Sequence, residues 1–222
     1  MSTPAPDKTG SAKKPKTGQV RNAEATKRRI LDAALKEFST LGLGGARVDT
    51  IAEKARANKG LIYAYFGSKE KLFTAVLEEA YLAIRQAERV LDLDSLAPAE
   101  ALDTFIRFTW QYYLDHPEFL TLVNSENLHR GRHIKTSPTI KKTFPQLIGM
   151  VQSILDRGVA AGVFRKGVDP VQLNVTIAAI GCYYLTNRFT GSFIYDRDFM
   201  EPERLAERLA FNLETIRRLV AV

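Results

Sequence analysis

The chain has 222 residues, 45% of them apolar and 9% aromatic, enough to bury one or two ordinary cores and too rich for a chain disordered along most of its length. A single cysteine, Cys182, excludes an intrachain disulfide and fits a reducing cytoplasm, no apolar segment near the N-terminus reads as a secretory signal, and the longest apolar run, about 171–185, is too short and too interrupted to span a bilayer. The formal charge of +7 is uneven: residues 1–22 hold five Lys/Arg against one Asp and residues 23–69 nine against five, while residues 70–222 hold eighteen against nineteen, so positive charge gathers in the first third, as attraction to phosphate requires.

Residues 1–22, rich in Pro, Gly, Ser, Thr and Lys, read as a disordered basic tail, either a solvated leader or an arm adding nonspecific phosphate contacts. From Ala23 to Leu41 the apolar residues Ile30, Ala33, Ala34, Phe38 and Leu41 recur at helical spacing, and the glycine-rich run 42–45 stops the helix. Val48, Ile51, Ala52 and Ala55 then mark one face of a short helix. After the break at Arg56-Ala57, Asn58 is suited to cap a second short helix whose apolar side is Leu61, Ile62 and Phe66, leaving Lys59, Gly60, Tyr63 and Ala64 outward. Ser68 caps a longer helix, with Lys69 and Glu70 in its first turn and Leu72, Phe73, Val76, Leu77 and Ala80 on its apolar stripe, running to about Leu91. Two short helices at a steep angle with a tight turn form a helix-turn-helix, whose second helix enters the major groove of DNA.

Every later signal is also helical. Pro98 opens a helix ending near Asp115-His116, Pro117 opens another, Ser137-Pro138 starts a short segment, Pro145 leads a longer one to about Gly162, and Asp169-Pro170 and Glu201-Pro202 precede the last two. There is no alternating strand pattern, so the expected fold is all-α with about nine helices. The expected division is a helix-turn-helix domain over 23–68 and an effector-binding and dimerisation domain over 69–222, linked by the helix at about 69–91.

The run from Ala23 to Tyr81 resembles the DNA-binding domain of the TetR family of transcriptional repressors. The matching pieces are RRILDAALKEFSTLG, DTIAEKA and KGLIYAYFGSKEKLF. The resemblance implies that Tyr63 and Lys69 bind phosphates and that Lys59 lies at an outward position near the start of the recognition helix, where its ammonium can also donate to guanine O6 and N7. The expected DNA-contacting set is Arg47, Asn58, Lys59, Gly60, Tyr63, Ala64, Tyr65 and Lys69, with Tyr65 either touching a phosphate or packing beside the next helix. Lys27, Arg28 and Arg29 are either phosphate contacts or solvated charges. Two departures from the family pattern stand out: Arg56 replaces the glycine of the turn, at a cost of roughly 1–2 kcal/mol if it is forced into left-handed geometry, and Arg47 replaces the Ser or Thr that usually starts the second helix.

The helix at 171–189 is apolar nearly all round and carries the small residues Ala178, Ala179, Gly181 and Cys182, while the last helix aligns Leu205, Leu209, Leu213, Ile216 and Val220. A helix buried on all sides needs neighbours on all sides, supplied either by this chain's own core or by a second subunit. The resemblance implies the second, with the two helices and their copies forming a four-helix homodimer interface. Its expected members are Val175, Ala178, Ala179, Cys182, Leu205, Leu209, Leu213 and Ile216.

Between these regions, aromatic residues alternate with polar ones on helical stretches, and HPEFLTLVNSENLHRGR resembles the ligand-binding half of some TetR regulators. Aromatic-rich helices usually form plain core, yet buried polar groups must find partners, and an apolar pocket with a few directed polar groups would use them. The expected lining is Trp110, Tyr113, Asn124, Asn127, Tyr184, Asn187 and Arg188, and the expected effector is a small apolar or aromatic molecule. His129 and His133 lie four apart, but Gly131 stands between them and no Cys, Asp or Glu sits at metal-ligand spacing, so that stretch reads as an exposed basic loop and no metal or cofactor is expected. No phosphate loop, nucleophile elbow or HExxH motif points to an enzyme. The whole reads as a ligand-responsive repressor acting on a duplex DNA operator, against two rivals: an architectural DNA-binding protein without an effector, and a helical enzyme or carrier.

Overall fold

The computed structural model describes the backbone of residues 17–222 and the side chains from Asn22 onward. The expected tail lies outside the described residues over 1–16, and its remainder begins the first helix.

The described residues form ten α-helices and one short 3-10 turn, with no strand among them. In chain order they are α1 (Thr17–Gly45), α2 (Val48–Lys54), α3 (Lys59–Phe66), α4 (Lys69–Arg89), α5 (Pro98–Asp115) and α6 (Pro117–Leu128). The 3-10 turn Ile134–Thr136 follows, then α7 (Pro138–Ala160), α8 (Pro170–Thr186), α9 (Arg188–Ile194) and α10 (Pro202–Val220). Pro98, Pro117, Pro138, Pro170 and Pro202 each open their helix, where a missing N–H costs nothing. None of these helices is long and apolar enough to cross a membrane.

Two boundaries differ from the sequence reading. Helix α7 runs straight past Pro145, because Thr143 and Leu147 are buried on either side of it and packing outweighs the lost hydrogen bond to the Lys141 carbonyl. The helix expected over 171–189 ends at Thr186. Asn187 turns its amide back on the Tyr183 carbonyl at 2.9 Å, satisfying a helix-end acceptor, and α9 starts at the next residue.

Helices α1–α4 enclose the first core around Ile30, Ala34, Phe38, Ile51, Ile62 and Phe73, with the Phe38 and Phe73 rings edge to face at 5.1 Å. Leu122 of α6 and Ile140 of α7 are fully buried in that same core, so the N-terminal head and the helical body are packed as one piece. The junction is also hydrogen-bonded. α1 breaks at Gly42 (φ 66), and the next amide, Leu43 N–H, donates to Ser125 Oγ on α6 at 3.4 Å. The adjacent Glu126 is 1% exposed, and its carboxylate accepts the backbone N–H groups of His133 (2.7 Å) and Ile134 (3.0 Å) and faces His133 Nδ1 at 2.6 Å. His133 is therefore buried against Phe73 rather than in the exposed loop that the sequence suggested. No group of metal-ligating side chains exists among the described residues.

A second core lies among α5, α7, α8 and α10, around Phe105, Ile106, Ile154, Ile177, Leu213 and Ile216. A third, aromatic core joins α4, α5, α6 and α8 through Ile84, Trp110, Tyr113, Phe119 and Leu185.

Candidate nucleic-acid interface

The turn from α2 to α3 spans residues 55–58. Ala55 and Ala57 donate their amides to the Ile51 and Ala52 carbonyls, both at 2.9 Å, and Arg56 between them sits at φ 51, the left-handed geometry that glycine usually supplies there. Arg29 of α1 fastens this turn by donating Nε to the Ala55 carbonyl at 3.1 Å. Arg56→Gly is expected to raise stability by about 0.5–1 kcal/mol in urea denaturation, since relief of the left-handed cost exceeds the freedom that glycine adds to the unfolded chain. A loss of stability would show instead that the Arg56 side chain makes a contact worth more than its backbone costs.

Asn58 caps α3, its Oδ1 accepting the Leu61 N–H at 2.8 Å, and Ile62 faces the head core. That rotation puts Lys59, Gly60, Tyr63 and Ala64 on one exposed face, an ammonium and a phenol separated by two positions without bulk. Lys59 Nζ lies 2.9 Å from Asp49 Oδ1 on α2, and this bond raises its pKa above the ordinary lysine value, so its charge is secure. Ser68 Oγ accepts the Lys71 N–H at 3.2 Å and so sets Lys69 in the first turn of α4, immediately after the left-handed Gly67 (φ 82).

The other expected members divide. Arg47 is exposed at the start of α2 without capping it through its side chain, while its backbone N–H points to the buried Glu37 at 3.4 Å. Lys54, 2.7 Å from that carboxylate, holds Glu37 below the usual carboxylate range. Tyr65 is half-buried on the head core, with the Lys27 ammonium 5.5 Å from its ring. Lys27, Arg28 and Arg29 all have partners in this chain, in Glu24, Asp32 with Glu79, and the Ala55 carbonyl.

Of the expected effector residues, Trp110, Tyr113 and Tyr184 meet at the aromatic core, and the four polar ones do not join them. Trp110 and Tyr113 are buried walls of the aromatic core, and the Tyr184 ring lies 6.0 Å from Trp110, stacked on Phe199 at 4.4 Å. Tyr184 lines an open groove of about 640 Å³ with Tyr183, Tyr195, Arg208 and Phe211. Asn124 and Asn127 face outward from α6, the latter bonded to the Val123 carbonyl at 2.9 Å. Asn187 is occupied between α8 and α9, and Arg188 donates to the Leu185 carbonyl at 2.9 Å beneath the Phe189 ring. These four polar groups serve helix ends and outer surfaces because α8 stops before them and α6 turns its other side to α1.

Arg85 and Glu88 of α4 are also drawn into the interior of the body, their side chains 10% and 6% exposed. Arg85 Nη2 lies 2.7 Å from Glu88 Oε1, and burial pushes the Glu88 carboxyl up to about 7 against the pull of that guanidinium. Burial also raises the Tyr113 hydroxyl and lifts Tyr112 to about 12, as a dry interior demands. Sequence could have found the pair: Glu88 falls four residues after Ile84, on the continuation of the α4 apolar stripe.

A helix-turn-helix of this construction, ahead of an all-helical body, is shared with known regulators. The sequence model described as "Bacterial regulatory proteins, tetR family" matches residues 30–76, and that of "Tetracyclin repressor-like, C-terminal domain" matches residues 98–216. The chain belongs to the TetR family. It is 39% identical over 197 residues to the HTH-type transcriptional repressor NicS of Pseudomonas putida, covering 88% of this chain and 93% of that protein. It is 42% identical over 113 residues to the HTH-type transcriptional repressor SCO4008 of Streptomyces coelicolor, half of this chain and 54% of that protein. The crystal structure of the putative transcriptional regulator SCO4942 from the same species superposes with a TM-score of 0.65 at 25% identity, over 88% of this chain and 98% of that one.

Within this TetR-family body, the expected dimer stripe splits into two faces. Leu213 and Ile216 are 4% and 0% exposed in the chain's own core, Leu205 and Leu209 are partly buried against it, and Cys182 packs on the aromatic core. Val175 and Ala179 remain exposed, with Ala178 half-buried between them, and Phe211, one side of α10 away from Leu213, is 60% exposed. The stripe pointed inward because α10 packs its most regular apolar row against α5 and α8; its free face is marked by Phe211 alone among large apolar residues.

Proposed function

We propose that this chain is a homodimeric, cytoplasmic repressor that grips a near-palindromic operator with the α3 helix of each subunit and is released by a small molecule bound in the helical body. The observation that carries the reading is the capped, exposed face of Lys59, Gly60, Tyr63 and Ala64 on a helix-turn-helix fixed by Arg29 and Asn58. Residues 23–68 then form the reading head and 69–222 the effector and dimerisation body, with α4 belonging to both. The repressors NicS and SCO4008, similar over 88% and half of the chain respectively, support regulation over catalysis. The apolar side chains that α8 and α10 leave exposed, at Val175, Ala179, Tyr183 and Phe211, support pairing with a second copy that would cover them.

Roles within the head follow from chemistry. Lys59 reads base edges, whereas Tyr63 and Lys69 hold phosphates, which position the protein without specifying sequence. Selection of bound fragments from random duplex DNA, followed by fluorescence anisotropy, tests this. Lys59→Ala is expected to change the preferred half-site, and Tyr63→Phe or Lys69→Ala to weaken specific and random DNA alike. Equal loss on both DNAs for Lys59→Ala would remove its reading role. Release follows if the effector prefers a conformation with the heads differently spaced, a coupling of roughly 1–3 kcal/mol that must also appear as weaker effector binding in the presence of operator.

A further inference from the structure

The Arg85 guanidinium is buried with an incomplete set of acceptors. Nη2 lies beside Glu88, but Nε and Nη1 have no hydrogen-bond partner. Buried donors are nearly always satisfied, and a buried cation left with open N–H groups is the sharpest form of the exception. The same side chain also borders a cavity. Arg85 and Glu88 of α4 and Thr143, Gln146, Leu147 and Met150 of α7 line a cavity of about 140 Å³. The Phe144 ring stands 5.7 Å from the guanidinium carbon, and the Tyr81 ring lies 6.0 Å from Phe144. Arg89 donates to Gln146 between the two helices on the exposed side of the cavity. Across it, Pro145 leaves the Lys141 carbonyl of α7 without its helical donor.

We propose that this cavity is an effector subsite for a small aromatic monocarboxylate, whose carboxylate binds Arg85 and whose ring lies against Leu147 and Met150. The inference rests on the reading above that the helical body holds an effector, and it names that effector's chemistry. A guanidinium presents its N–H groups in a planar fork that matches a carboxylate, which can occupy two donors at once. A phosphate dianion is a poorer match, because Glu88 already contributes an acidic group beside the one buried cation. The cavity volume admits a single ring. Glu88 acts as an internal stand-in: its carboxylate holds one nitrogen of Arg85 and repels an incoming anion. Because Arg85 lies on α4, which begins at Lys69 in the reading head, an anion drawn to it acts on the helix that joins effector to DNA.

The test uses the full chain with benzoate as the anionic probe and benzamide as its neutral isostere, read by the fluorescence of Trp110, the chain's single tryptophan, and by calorimetry. Benzoate is expected to bind the natural protein at least about tenfold more tightly than benzamide, and Arg85→Met to lose about tenfold or more. Glu88→Gln is expected to bind benzoate several-fold more tightly than the natural protein, a gain that general damage to the fold does not produce. The double variant Arg85→Met with Glu88→Gln, which leaves no unpaired buried charge, covers the case in which Arg85→Met fails to fold. No benzoate binding up to about 10 mM, equal binding of the amide, or unchanged affinity in the Arg85 variants overturns the proposal. Operator binding is measured separately: benzoate that binds through Arg85 without changing operator affinity sinks the release mechanism and leaves the subsite standing.

Discussion

A charge placed at Phe211 or Val175 is expected to give a folded monomer that no longer holds an operator, whereas the same charge at Leu213 or Ile216 is expected to unfold the subunit. The four positions sit on the same two helices, α8 and α10, and differ in what they face. Phe211 and Val175 are 60% and 53% exposed, so an aspartate there stays in water in the separated chain and loses its solvation only when a second copy covers it. Leu213 and Ile216 are 4% and 0% exposed among residues of α5, α7 and α8. An aspartate at either is buried without a partner in every state except the unfolded one, at several kcal/mol against a total stability of about 5–15. Light scattering after size exclusion separates monomer from dimer, and circular dichroism with thermal melting separates folded from unfolded. Splitting the dimer removes the second reading head, so operator affinity falls towards the nonspecific level while the head itself stays intact. A dimeric Phe211→Asp protein would move the interface elsewhere, and a folded, monomeric Leu213→Asp protein would restore the inward stripe to it.

That contrast also shows where the sequence was readable. The helix-turn-helix was legible nearly to the residue because its signals are local: Asn58 and Ser68 cap the helices they were expected to cap, and the apolar rows of α2 and α3 leave one outward face without reference to anything distant. Arg56 was legible through the resemblance, which puts a glycine at that position of the turn, and its φ of 51 agrees. The body was legible as helices but not as surfaces. Periodicity says that α10 has an apolar row, and cannot say whether α5 and α8 of the same chain or a second chain receives it. Asn124, Asn127, Asn187 and Arg188 are drawn to a pocket by composition, whereas the signal for Arg85 and Glu88 is weaker: Glu88 continues the α4 apolar row four residues after Ile84, but a charged pair three residues apart also reads as helix surface. Only the packing of α7 across α4 takes them out of water.

The Glu88 carboxyl should make folding stability fall as pH rises from about 4.5 to about 7, opposite to the usual direction for a paired acid. Burial pushes its folded pKa up to about 7, while the unfolded chain titrates near the ordinary glutamate value. Between those values the folded state binds more protons than the unfolded one, so the slope of stability against pH is negative; below the lower value and above the upper one it is flat. A difference of this size corresponds to about 2–4 kcal/mol across the window. The groups around it do not confuse the window: Tyr81, Tyr112 and Tyr113 are all raised above their ordinary phenol values, Arg85 keeps its charge even though burial lowers it, and Arg89 lies at the exposed edge of the cavity. The lowered Glu37 acts in the other sense and at lower pH, its stabilisation being lost as pH falls through its depressed folded value. Urea denaturation at pH 5 and pH 7.5 should therefore show the natural protein losing stability over the interval by about 2 kcal/mol or more relative to Glu88→Gln, which cannot ionise. Equal slopes for the two proteins would mean that Glu88 is ionised and well paired at pH 5, with Arg85 neutralised from within. The same proton governs the cavity: when Glu88 takes it up, Arg85 loses the counter-charge at its side, so an anionic ligand should bind more tightly at pH 6 than at pH 8 in the natural protein and equally at both in Glu88→Gln.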